Sequence, residues 1–147
     1  MVVAFCGHAE IAPTDNVHDW LYDILVSLIS NGADTFYLGG YGAFDRLTFT
    51  VLKNLKKTYP HIQIVLVLAY LNRNMDTSGY DVTLYPELEK TPPRFAISKR
   101  NEWMTDMADT VVAYVTHNWG GAAKTLQYAR RKTKNIFCFS SQIDYLQ

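Results

Sequence analysis

The chain has 147 residues, with hydrophobic side chains at 48% and charged ones at 19%, which describes one domain with enough apolar material for a core and excludes wholesale disorder. Fourteen basic and fourteen acidic side chains give a formal charge of zero. That balance argues against nucleic acid as a partner, because proteins that hold DNA or RNA by neutralising phosphates carry a basic surplus. Local basic clusters at Lys53, Lys56 and Lys57, and at Arg130, Arg131, Lys132 and Lys134, lie near predicted helix C-termini and read as solvated faces. Cys6 and Cys138 fall in predicted core strands and read as buried free thiols. The opening Met1–Cys6 is too short for a signal peptide, and no apolar stretch is long enough to cross a bilayer, so the expectation is a cytoplasmic protein with no membrane partner.

Apolar runs and helical patterns alternate along the chain. Val2 to Cys6 reads as a buried strand ended by Gly7. Asp15-Asn16 offers N-cap chemistry for a helix with Trp20, Leu21, Ile24, Leu25, Leu28 and Ile29 on one face, and Asn31-Gly32 closes it. Thr35 to Leu38 is the second strand, followed by a helix from about Ala43 to Lys57 with Phe44, Leu47, Val51, Leu52 and Leu55 inward. Pro60 precedes Ile62 to Leu68, the most continuous apolar run and the expected central strand. Residues 70–93 lose periodicity and read as a long loop near a ligand crevice. Ile97 to Ala108 returns to helix, Thr110 to Val115 to strand, Gly121 to Arg131 to helix and Ile136 to Phe139 to a last strand; no pattern follows Ser140.

This alternation predicts a single α/β domain over 1–147: a Rossmann-like, doubly wound, mostly parallel sheet of about five strands with helices on both faces. In such sheets ligands bind outside the carboxyl ends of the strands, near the point where the strand order reverses. Gly7-His8, the turn at Gly39, the loop from Tyr70 and the turn at Gly120 all follow strands and are expected to converge on one crevice.

The two glycine turns carry the chemistry. In the first, Gly39-Gly40-Tyr41-Gly42, the glycines allow close backbone approach or positive φ, but their spacing is not the dinucleotide fingerprint and the Lys-Ser/Thr ending of a P-loop is missing. Asp45 in the following helical turn either accepts ribose hydroxyls or simply complements the helix N-terminus. In the second, Trp119-Gly120-Gly121-Ala122 opens a helix whose N–H groups suit a phosphate, with Lys124 or Thr125 to assist. Trp119 either stacks on a base or caps the core. Arg100 and Asn101 either hold an anion or sit on a solvated helix. The four histidines do not form a set, although His8 and His117 each follow a strand and His18 and His61 look incidental. No metal-binding spacing and no Gly-x-Ser-x-Gly elbow occurs, so neither a metal nor a cofactor is expected, nor a serine hydrolase.

Gly39-Gly40-x-Gly42-x-Phe44-Asp45, then Val51-Leu52-x-x-Leu55-Lys56-x-x-Tyr59-Pro60-x-Ile62, then Arg100-Asn101-x-x-Met104-x-x-x-Ala108-Asp109 and Gly120-Gly121 with Tyr128-Ala129, resemble the YpsA-like branch of the SLOG superfamily. Phe5-Cys6-Gly7-His8 fits the family's first strand and turn, and the likeness runs to Phe139. The superfamily is Rossmann-like and includes the Lonely-Guy phosphoribohydrolases, lysine-decarboxylase-like proteins, DNA-processing proteins of the DprA kind and nucleotide-sensing domains. The resemblance implies a nucleotide-derived ligand at the glycine turns.

The phosphoribohydrolases carry Pro-Gly-Gly-x-Gly-Thr-x-x-Glu. Aligned on the glycine pair, the glutamate position here is Gln127 and the Gly-Thr step is Ala123-Lys124, so the principal catalytic carboxylate is missing while Arg100 is kept. The expected function is therefore binding of an ADP-ribose-like or nucleoside-phosphate molecule. One alternative is cleavage or transfer of an N-glycosidic bond, with Asp45, Asp81 or Glu87 replacing Gln127. Another is an oligomerising module built on the face bearing Trp103, Met104 and Met107, a face that otherwise packs on the sheet.

Overall fold

The protein is described from a computed structural model over residues 1–140. The patternless stretch after Ser140 lies outside the described residues. Six parallel strands form one sheet: β1 (Val2–Gly7), β2 (Thr35–Leu38), β3 (Gln63–Val67), β4 (Val82–Leu84), β5 (Thr110–Tyr114) and β6 (Asn135–Cys138), in the order β4-β3-β2-β1-β5-β6. Four helices connect them: α1 (Val17–Ser30), α2 (Gly42–Thr58), α3 (Ala96–Met107, entered through a 3-10 turn at Pro93–Phe95) and α4 (Gly121–Arg131). No helix among the described residues is long and apolar enough to cross a membrane.

Alternation along the strands sorts side chains to two faces. Val3, Phe5, Phe36, Leu38, Ile64, Val112 and Tyr114 meet Leu21 and Leu25 of α1 and Val51 and Leu52 of α2 in one core cluster. The opposite face is built from smaller side chains near its middle: Ala4 packs with Met104, and Cys6, Val111 and Ala113 pack with Leu126 and Ala129 of α4. Small residues on that face let α4 lie close to the sheet. The helix ends follow the local sequence. Asn16 accepts the Asp19 N–H at the start of α1, and Gly32 takes a φ of 105° just beyond its end.

Two expectations need correction. Ile62–Leu68 does not make the central strand: β3 stands between β2 and β4, one place from the edge, and the middle pair is β2 and β1. Its apolar run reflects burial on both faces, which any covered parallel strand shares. The 70–93 stretch is not wholly loop, since Val82–Leu84 adds a sixth strand beside β3. It is only three residues long and partly exposed, so it leaves no periodic trace. Asp81 anchors it: its Oδ2 accepts from Lys56 Nζ at 2.8 Å and from the Ile64 N–H at 2.8 Å. Burial works against the Asp81 charge, but these bonds hold its carboxyl below the usual range.

The apolar side of α3 is spent on the sheet. Met104 is fully buried and Trp103 stacks on Tyr37 with ring centroids 5.6 Å apart, while Met107 alone of the three stays exposed. Cys6 is buried as expected, whereas Cys138 is only half-buried; both thiols are free.

Candidate functional site

The chain runs from β1 outward to β4, then returns to set β5 against the other side of β1. The carboxyl ends of β1 and β5 are therefore the switch point of the sheet, where the backbones diverge and leave a crevice. A cleft of 690 Å³ opens there. Gly7 and His8 come to it from the end of β1, and Ala9, Glu10, Ile11, Ala12 and Pro13 from the loop beyond. The first glycine turn adds Gly39, Tyr41, Gly42 and Asp45; α3 adds Ile97, Arg100, Asn101 and Met104. Tyr114, Thr116, His117, Trp119, Gly120, Gly121 and Ala122 form the wall after β5.

The first glycine turn is closed by its own residues. Asp45 Oδ2 accepts the N–H groups of Gly39 at 3.2 Å and Tyr41 at 3.3 Å, so a carboxylate of the chain already occupies the donors that an anion would use. Arg100 lies beneath, 3% exposed. Its Nη1 donates to the carbonyls of Gly39 at 3.0 Å and Val67 at 2.9 Å, and its Nε donates to Asn101 Oδ1 at 2.9 Å. The guanidinium also lies 5.7 Å from the Tyr41 ring centre. A Cβ on Gly39 would stand 2.7 Å from Arg100 Cζ, which explains glycine at that position. Gly42 needs its glycine for conformation as well as space: φ is 88° and the Ala9 Cα lies 2.9 Å from where a Cβ would stand. Burial pushes the Asp45 carboxyl up, against the pull of Arg100 and the turn's N–H groups. Burial likewise pushes Arg100 down, opposed by Asp45.

The second turn is open. Gly120, at φ 90° and ψ 177°, is the N-cap of α4, with no side-chain cap. The first intrahelical bond runs from the Lys124 N–H to the Gly120 carbonyl, which leaves the N–H groups of Gly121, Ala122 and Ala123 facing outward at the positive end of the helix dipole. A Cβ on Gly121 would meet nothing within 4 Å.

Beside this turn three rings stack in a column. His8 and His117 lie 3.8 Å apart at 12°, and His117 and Trp119 lie 3.8 Å apart at 19°. His8 Nε2 accepts the Thr116 N–H at 2.8 Å, which puts the neutral ring's proton on Nδ1. Burial and the neighbouring His117 both hold His8 below its ordinary value. His117 Nδ1 is buried and without a hydrogen-bond partner among the described residues. Tyr114 ties the loop after β1 to β5: its hydroxyl donates to Asp15 Oδ2 at 2.7 Å and accepts the Ala12 N–H at 3.1 Å.

The expected residues divide accordingly. Gly7, His8, Gly39, Tyr41, Gly42, Asp45, Arg100, Asn101, Trp119, Gly120, Gly121 and Ala122 line one cleft. Gly40, at φ 81°, turns toward Leu66 and Met75 instead. Lys124 points to solvent and does not line the cleft, and Thr125 is buried with its hydroxyl donating to the Gly121 carbonyl, so neither stands ready to assist a phosphate. Gln127 lies on the outer side of α4, beside a smaller hollow with Arg130 and Cys138. No residue of 70–93 lines the cleft, Asp81 and Glu87 included. Two of the histidines do form a set, contrary to the sequence reading, because β1 and β5 are neighbours although His8 and His117 are far apart in the chain. Glu10, Tyr114 and Thr116 were not foreseen; their position after predicted strands was the available signal. Cys6 borders the cleft, but burial pushes its thiol up to about 12, which disfavours the nucleophilic thiolate.

No protein-family model matches the chain, and no curated protein does. Among solved structures it is similar to DNA processing protein A from Helicobacter pylori, described for its single-stranded DNA binding mode, with TM-score 0.67, 15% identity, and 98% of this chain and 67% of that one covered. It is also similar to TM1055, a structural genomics target, with TM-score 0.62, 16% identity and coverage of 92% and 71%. A third is DNA processing protein A from Streptococcus pneumoniae, with TM-score 0.67, 13% identity and coverage of 97% and 51%, so the chain spans about half the length of that protein. At these identities the likeness is one of fold, and it carries the Rossmann-like architecture without selecting the YpsA-like branch.

Proposed function

We propose that the protein binds a nucleoside phosphate or related nucleotide derivative and holds it without cleaving it. The observation that carries this reading is the wall after β5, where uncapped α4 N–H groups and the exposed Trp119 ring border the same cleft at the sheet's switch point. The first suit a phosphate and the second a base. Support for holding rather than cutting comes from Asp45, whose carboxylate is spent on its own turn, and from Gln127, which lies off the cleft. The reading takes the chain as a SLOG-type domain of the YpsA-like branch, on the motifs around Gly39, Arg100 and Gly120.

A second reading makes the bound unit one nucleotide of a single strand, and it draws on the fold shared with the Helicobacter pylori protein. It weakens the exclusion of nucleic acid from net charge alone. Against it stands the lining of the cleft, where Arg100 is the one lysine or arginine among the described residues and its bonds point inward. A strand held by its phosphates needs several free cations.

Thermal shift against the four nucleoside monophosphates, ADP-ribose and a twelve-residue oligothymidylate, at low and at moderate salt, separates the two. Stabilisation by a small nucleotide with little salt dependence is the expected outcome. Stabilisation by the oligonucleotide alone, fading steeply with salt, selects the second reading. A folded sample that responds to none of these ligands overturns both.

A further inference from the structure

We infer that the outward face of Trp119 is the platform for the ligand's nucleobase, and that His8 is the positioning residue that keeps the platform assembled. The inference rests on the nucleoside-phosphate reading and goes beyond it by assigning where the base lies and what holds its seat.

A tryptophan at a loop tip is ordinarily free to swing, and one exposed at 68% costs apolar hydration. This ring is held flat. Its inner face rests on His117, and His117 rests on His8 in turn, with 3.8 Å between ring centres at both steps. The column ends on the sheet, because the His8 backbone N–H bonds to the Tyr114 carbonyl at 3.2 Å and its ring meets Tyr114 edge-on at 5.7 Å. The remaining open face of Trp119 is thus a preorganised surface for one more flat ring, next to the N–H groups that would take the phosphate. A rigid stacking surface binds better than a mobile one because less side-chain freedom is lost on binding.

The lock is a single hydrogen bond, from the Thr116 N–H to His8 Nε2. A protonated His8 has no lone pair at Nε2 to receive it, and a charged ring then faces His117 in the stack. The other ionisable groups around His8 are Tyr114 beside it, Glu10 on its own loop, and Asp45 and Arg100 in the same cleft; the last two face each other and Glu10 has no bonded partner among the described residues. Acid therefore loosens the column at its base, and Trp119 loses its support without any change at the α4 N–H groups.

Calorimetric titration with AMP and with ribose 5-phosphate tests this, because the two share one phosphate and differ by the base. In the native chain at pH 8, AMP is expected to bind more tightly by roughly fivefold to about a hundredfold, the range for stacking one base on an aromatic side chain. Trp119→Ala removes that advantage and leaves ribose 5-phosphate binding unchanged, and Trp119→Phe restores part of it. At pH 4.5, well below the ordinary imidazole value that His8 is held beneath, the advantage shrinks in the native chain. In His8→Gln, which keeps an acceptor but cannot titrate, the advantage is the same at both pH values. Equal affinity for the two probes, or loss of both in Trp119→Ala, overturns the platform while the phosphate reading stands. An advantage independent of pH in the native chain overturns the role of His8. Failure of both probes to bind overturns the platform together with the reading beneath it.

Discussion

At the end of β2 the chain closes a glycine turn upon itself, whereas at the end of β5 it leaves an equivalent turn open. The difference lies in what the rest of the fold sends there. Asp45, in the first turn of α2 and six residues beyond Gly39, folds back on the N–H groups of Gly39 and Tyr41, and α3 drives Arg100 into the space that Gly39 leaves. The turn at Gly120 receives no such side chain, and a Cβ there would meet only the Cε1 edge of His117, at 4.0 Å. One turn thus stabilises the cleft floor, and the other is left with donors to offer. Glycine pairs after strands are ambiguous for this reason: the same backbone serves as a socket for the protein's own groups or for a ligand.

The largest expected effect is on the closed turn. Arg100→Ala leaves two buried carbonyls unpaired and Asp45 without its cation, and the cost is about 3–5 kcal/mol in denaturant unfolding. A loss below about 1 kcal/mol would show that the guanidinium is not integral to that floor. Next in size is a paired glycine test. Gly39→Ala crowds the guanidinium and is expected to cost roughly 1–3 kcal/mol, whereas Gly121→Ala meets open space and stays within about 0.5 kcal/mol of the parent. Equal costs at the two sites would erase the contrast between the turns.

The smallest effect is in the response to acid, where the turns oppose each other. His8 is held below its ordinary value of 6.5, so its contribution to stability is full above that value and is lost as pH falls below it. Asp45 is held above its ordinary value of 3.8, so its contribution is full below 3.8 and is lost as pH rises through the folded-state value. Urea midpoints followed from pH 7 to pH 4 are expected to flatten in His8→Gln below pH 6.5. In Asp45→Asn they fall more steeply toward pH 4, because that variant no longer gains from taking up a proton. Parallel profiles for both variants and the parent would count against the opposed signs.

Much of this was legible in the residues. Alternating Val3, Phe5 and Ala4, Cys6 mark a strand covered on both faces, and the glycine pairs sit where strands give way to helices. The Rossmann-like sheet follows from that order. Two kinds of feature were not legible. β4 is three residues, two of them exposed, too short for a period to register. The histidine column joins residues from opposite halves of the chain, and only the β1–β5 pairing brings them into register. Asp45 lies between these cases: its spacing allowed either a ligand contact or a role at its own helix, and the geometry gives it to the turn.

The reversal of strand order has a consequence for how the cleft comes into being. Its walls belong to segments joined late in the topology: the Val2 N–H bonds to Asp109 Oδ2 across a separation of 107 residues, and β1 is paired with β5 over most of its length. Contacts so distant in sequence are slow to form, because the intervening loop must be closed before any of them can stabilise it. The units β1 to β3 and β5 to β6 each consist of neighbours in the chain, but neither contains a cleft. The cleft therefore closes only once β1 has met β5, although the Gly120 turn and the start of α4 already lie within the second unit.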